Sequence, residues 1–177
     1  MKKILALVLL LMFSISIVNA QESSQINYNE KVQTLDSTVK SLYSIINGGQ
    51  GIERNWELFK FLFKDDAEII LTILNSQDEN SKFYLTVDQY INSYGKWLVK
   101  NGLQVKETER TISTFRHMNN VTSAYEYTNT DSNPAIKGVN SINLLNENNR
   151  WYISNIKWNQ EISDLKSLQE YLRVSKN

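Results

Sequence analysis

GVNSINLLNENNRWYISNIKW, residues 138–158, is the stretch from which the fold can be read. Two runs of aliphatic, aromatic and small polar residues flank Glu147-Asn148-Asn149-Arg150. Asn tolerates the positive φ of a tight turn, so the stretch reads as a long antiparallel hairpin with a two-residue Asn148-Asn149 loop. Strict alternation then puts Val139, Ser141, Asn143, Leu145, Tyr152, Ser154, Ile156 and Trp158 on one face. The other face takes Asn140, Ile142, Leu144, Trp151, Ile153, Asn155 and Lys157. Both faces mix large apolar with small polar groups, which a simple two-layer fold does not require. The expectation is a strongly curved sheet, covered inside and partly outside.

Outward from the hairpin, the N-terminal end reads as a targeting segment over residues 1–20. Lys2 and Lys3 precede an almost unbroken apolar run, and Val18-Asn19-Ala20 offers small residues where a signal peptidase cuts. Export with cleavage after Ala20, to periplasm or medium, is expected. The full chain has 19 basic and 19 acidic residues, so losing two lysines leaves a slight negative charge that favours neither nucleic acid nor an anionic membrane. There is no Cys, which excludes disulfides and thiolate metal sites and leaves an exported protein to be held by its core. A single domain is expected over residues 31–160, after a disordered lead at 21–30 and before a tail or short helix at 161–177.

From Val32, apolar residues recur at Leu35, Val39, Leu42 and Ile46, the spacing of a one-sided helix. Asn47-Gly48-Gly49-Gln50-Gly51 is expected to end it with a left-handed glycine. A second helix carries Ile52, Trp56, Phe59 and Phe63 on one stripe, and Lys64-Asp65-Asp66 breaks it ahead of a strand over residues 67–74. A polar turn and a short strand at 82–85 follow. Thr86 with Gln89 makes a capping box for a third helix with Tyr90, Tyr94, Trp97 and Leu98 inward, stopped at Asn101-Gly102. Two long strands, 103–115 and 121–128, are joined by a four-residue loop at 117–120, which sets Arg110, Ile112 and Thr114 on a face with Tyr127, Tyr125 and Ser123. Asp131-Ser132-Asn133-Pro134 is a turn leading into the hairpin.

With that element order, Trp56-x-x-Phe59-x-x-Leu62-Phe63-x-x-Asp66-Ala67, Gly138-x-Asn140-Ser141-x-x-Leu144 and Arg150-Trp151-x-Ile153 with Trp158 resemble the nuclear transport factor 2-like (NTF2-like) superfamily. The likeness is to exported bacterial members of its polyketide-cyclase (SnoaL)-like group. It implies an α+β cone in which a curved antiparallel sheet wraps N-terminal helices, often with an internal pocket and often dimerising through the sheet. It implies no particular activity.

Isomerase-like members use a carboxylate base on the first strand. The corresponding position here falls near Leu71, which takes no proton. Dehydratase-like members use paired histidines, and this chain has only His117, in an expected loop. If the protein is an enzyme of isomerase, dehydratase or cyclase type, Asp66 and Tyr94 are the candidate groups. The competing role for Asp66 is local, bonding backbone N–H groups at a turn. As a binder, it would use Trp56, Phe59, Tyr94, Arg110, Tyr125 and Trp158 around a small apolar or weakly acidic molecule, the acidic end near Arg110. The alternatives are plain core packing for the aromatics and a cross-strand pair with Glu126 for Arg110. No cofactor or metal is expected, since there is no His pair or HExxH and the Asp65-Asp66-Glu68 run lacks a calcium loop's spacing. An exported, non-catalytic binding or interaction module is the first reading, a small-substrate enzyme the second and a homodimerising structural protein the third.

Overall fold

The computed structural model describes residues 27–74, 80–116, 118–128 and 136–161. The stretch read as a targeting segment, His117, the stretch from Asp131 to Pro134 read as a turn and the residues beyond 161 lie outside them.

Six strands form one sheet in the order β2-β1-β6-β5-β4-β3. They are β1 (Phe63–Leu74), β2 (Asn80–Thr86), β3 (Gln104–Phe115), β4 (Met118–Thr128), β5 (Ile136–Glu147) and β6 (Arg150–Glu161). The sheet is curved and unclosed. It is mixed rather than wholly antiparallel, because β1 runs parallel to β6 while every other pair is antiparallel. The hairpin brings β6 back beside the first strand in the direction that strand already runs.

Asn148 and Asn149 both take positive φ, 53° and 61°, so the two-residue turn is as read. The faces are not. The register shifts between Asn143 and Leu144, where Ser154 is the extra residue, and a β-bulge of this kind reverses the alternation beyond it. Ile156 and Trp158 therefore join Asn140, Ile142, Leu144 and Ile153 in the core, while Asn155 and Lys157 turn out. The apparent mixing came from assuming unbroken alternation: one face is the core and the other is largely polar.

The helices fill the concave side. Helix α1 (Leu35–Ile46) starts three residues later than the apolar spacing suggested, at a Thr34–Ser37 capping box. Val32 is instead buried ahead of it and accepts a backbone hydrogen bond from Trp151. No left-handed glycine ends α1. Asn47 caps it in extended conformation, and its side-chain amide exchanges two 2.9 Å hydrogen bonds with the Val105 backbone. Helix α2 (Trp56–Leu62) is capped by Asn55, so Ile52 lies outside it and is exposed. Phe63 belongs to β1, not to the helix.

The Thr86–Gln89 box opens α3 (Val87–Tyr90) as expected. A π-helical turn (Ile91–Gly95) then leads into α4 (Lys96–Asn101), which ends at Gly102 with φ 72°. Within the lead up to Glu30, Tyr28 is half-buried, and Asn29–Lys31 form an exposed single 3-10 turn. The Tyr28 ring lies 5.5 Å from Phe61 and its hydroxyl bonds Asn55. The loop between β3 and β4 is two residues rather than four, so Arg110 pairs with Ser123 and Ile112 with Val121. Parity is preserved, so the expected face is right although the partners are shifted.

Candidate functional site

Five of the residues expected to line a pocket do come together. Phe59 stacks on Tyr90 at 5.1 Å, and Tyr90 stacks on Trp158 at 6.0 Å. Trp56 meets Phe59 edge-on at 5.8 Å, and Tyr94 lies 5.3 Å from Tyr90 and 5.4 Å from Trp97. Tyr125 joins from β4: its hydroxyl donates to the Asn159 carbonyl at 2.8 Å. Phe59, Tyr90, Tyr94, Tyr125 and Trp158 are all buried. They pack on one another, and burial drives the Tyr90 and Tyr125 phenols well above their usual ionisation range.

The ionisable candidates sit elsewhere. Asp66 is exposed, in the irregular part of β1 where pairing to β6 shifts between Phe63 and Glu68. Leu71, where the resemblance implies a base in isomerase-like members, is buried and apolar. Arg110 lies on the concave face beneath α1, but its charge is already matched. It bonds both Glu107 oxygens, at 2.8 and 2.5 Å, and Asp36 at 2.8 Å. Glu126 is not its partner, being turned towards Lys137.

Glu107 anchors a chain of hydrogen bonds that runs into the core. Ser123 donates to Glu107 at 2.5 Å, so Tyr43, 2.7 Å from Ser123, must donate to the serine, and Asn140 donates to Tyr43 at 2.9 Å. Sequence reading missed this chain, although an Asn alternating inward with Ile142 and Leu144 was a signal that a buried partner exists. It also missed Arg54, which is buried and donates to carbonyls of Ile46, Gly48 and Leu98 at the ends of α1 and α4. A cation there suits the negative ends of two helices, while its burial lowers its pKa.

Two hollows bordered by described residues open to solvent. A groove of about 540 Å³ runs between α2 and the start of β6, walled by Phe61, Tyr152 and Arg150 with Lys60, Lys64, Glu57 and Asp65 around it. The Arg150 guanidinium sits 3.7 Å from the Phe61 ring centroid and 4.2 Å from that of Tyr152, a cation held between two π faces. A second hollow of about 380 Å³ lies by the β3–β4 turn, bordered by Phe115, Met118 and Leu145. Among the described residues no cluster of three His, Asp or Glu could hold a metal ion, and no helix is long and apolar enough to cross a membrane.

No family profile and no curated protein sequence matches the chain. Solved structures do. An NTF2-like protein from Cytophaga hutchinsonii superposes with TM-score 0.52 at 15% identity, over 70% of this chain and 92% of that one. A Nostoc punctiforme protein of unknown function, described as having a cystatin-like fold, gives 0.52 at 10% identity, over 75% and 92%. The Kfla4162 protein of Kribbella flavida gives 0.53 at 9% identity, over 80% and 97%. At these identities the likeness speaks for the fold, and it agrees with the curved six-stranded sheet and the helices on its concave face: the chain has the NTF2-like fold.

Proposed function

We propose that the protein is an exported, non-catalytic binding or interaction module, and that it works from the outside of its cone rather than from the inside. The observation that carries this reading is the stack Phe59–Tyr90–Trp158, which occupies the axis where a ligand of this scaffold would be enclosed. Small-molecule sites need roughly 300 Å³ or more, and the outer groove offers about 540 Å³. The enzyme reading depends on Asp66 and Tyr94 acting together, yet Asp66 faces solvent and Tyr94 is buried among rings.

Export rests on the basic, then apolar, then Val18-Asn19-Ala20 pattern. A mature chain beginning at Gln21, seen by mass spectrometry of protein from its own host, tests it. The binding reading is tested on the same material by native mass spectrometry with resonance mapping. A retained molecule whose removal shifts Arg150 and Tyr152 supports the reading, and one whose removal shifts the Trp158 indole overturns it.

Self-association through the sheet is favoured by a specific observation. Phe115, Met118, Leu145 and Tyr152 are register neighbours across β3 to β6 on the outer face, with Phe115 67% and Met118 58% exposed. Light scattering on the mature chain decides it, since Met118→Lys should dissociate such a dimer and leave a monomer unchanged.

A further inference from the structure

We infer that the groove between α2 and the start of β6 binds a small organic monoanion, a carboxylate carried on an apolar or aromatic body, with Arg150 as the anchoring cation. This rests on the outer-surface reading above and gives it a ligand class.

Arg150 is the first residue of β6, placed by the Asn148-Asn149 turn and clamped between the Phe61 and Tyr152 rings. A guanidinium has five N–H donors. Among the described residues Arg150 spends one of them, from Nη2 to the Phe61 carbonyl; its Nε is buried out of a ligand's reach, so the terminal Nη1–Nη2 edge is the one left to meet an anion. Glu57 and Asp65 line the same groove, yet neither forms an ion pair with it. A planar cation so fixed, with donors unspent, is pre-organised for the planar two-oxygen face of a carboxylate.

The surroundings narrow the class. Lys64 lies 4.9 Å from the Tyr152 ring and pairs with Glu147, while Lys60 pairs with Asp88. Both are pairs between accessible groups, which exchange readily for another anion. Glu57 and Asp65 at the rim oppose a second negative charge, so a monoanion fits better than a phosphate dianion. Phe61, Phe63 and Tyr152 supply the apolar contact that a carboxylate's organic body needs.

The test is a titration of the mature full-length chain with benzoate, benzamide, acetate and inorganic phosphate, followed by two-dimensional NMR including the arginine side-chain N–H region. Benzoate should shift Arg150, Phe61, Lys64 and Tyr152. Benzamide, its neutral near-isostere, should bind about tenfold more weakly or worse. Arg150→Lys keeps the charge but loses the planar fork, and should also cost about tenfold. Should Arg150→Lys prove poorly folded, Lys64→Gln at the exposed rim serves instead, with an expected two- to fivefold loss, about the size of a solvent-screened charge. Equal affinity for benzamide, tighter binding of phosphate, or no shift with any carboxylate overturns the ligand class and leaves the outer-surface reading standing. Benzoate shifts confined to Tyr94, Tyr125 and Trp158 overturn both.

Discussion

Replacing Tyr90 with Phe should make the protein more stable. Tyr90 is fully buried at the centre of the ring stack, and among the described residues its hydroxyl has no hydrogen-bond partner. A buried polar group left unbonded costs about 1–3 kcal/mol in desolvation. Removing the oxygen leaves a void no larger than one water, about 10–15 Å³. At about 24 cal/mol per Å³ that void costs only ~0.3 kcal/mol. The balance is a gain of about 1 kcal/mol or more, equivalent to roughly 2–4 °C in Tm for a domain of this size. Urea unfolding measures it: the midpoint should rise by about 0.5 M with the slope unchanged. A loss of about 1 kcal/mol would refute the reasoning. It would mean that the hydroxyl is bonded in solution to water or to a bound molecule, and hence that the cone axis has room for one.

Three further outcomes follow from the same contacts. Gly138→Ala should destabilise by about 1–3 kcal/mol, the usual cost of overpacking. Its Cβ would land on the Tyr125 ring and hydroxyl and 2.8 Å from the Asn159 carbonyl; thermal melts read the effect, and a neutral result would show that Tyr125 is not seated there. Arg110→Met should cost about 1.5–3 kcal/mol by stripping Glu107 of its charged partner. With Glu107→Gln added, the combined loss should fall short of the sum, and additive losses in the double-mutant cycle would deny the coupling. At alkaline pH, burial above all holds Tyr43, Tyr90 and Tyr125 above their usual value of 10.0. A raised folded-state pKa gives stability that is complete below pH 10.0 and lost as the pH climbs beyond it, because the unfolded chain ionises first. An ultraviolet phenolate titration should therefore show these three of the nine tyrosines ionising only as the protein unfolds, and free titration of all nine in the folded state would contradict it.

The parts of this fold that were legible in the sequence are those set by neighbouring residues. The Asn148-Asn149 turn, the Thr86–Gln89 cap, the Gly102 stop and the inward stripe of α1 depend on local backbone preference and on helical spacing. Features that depend on distant partners were not legible. A single bulge at Ser154 moved Ile156 and Trp158 to the other face, and nothing in the local residue types announces it. The same holds for the parallel pairing of β1 with β6 and for the two-residue β3–β4 connection. At the site, the aromatic residues were found as a set because their spacing marks an inner face, but spacing does not distinguish a lined chamber from a filled one. Arg150 stood inside a recognised motif, yet its environment depends on Phe61, 89 positions away in the chain, which only the folded structure brings beside it.

The claim on which the account turns is that the cone axis is closed by its own side chains, and the Trp158 indole N–H reports on it most directly. Trp158 is buried, 3% exposed. Its hydrogen exchange in heavy water, measured against urea concentration, should track global unfolding, with an opening free energy equal to the whole stability of the domain. Exchange that is fast and insensitive to urea would mean that solvent reaches the axis in the native state, and the enclosed-pocket function set aside here would be the correct one.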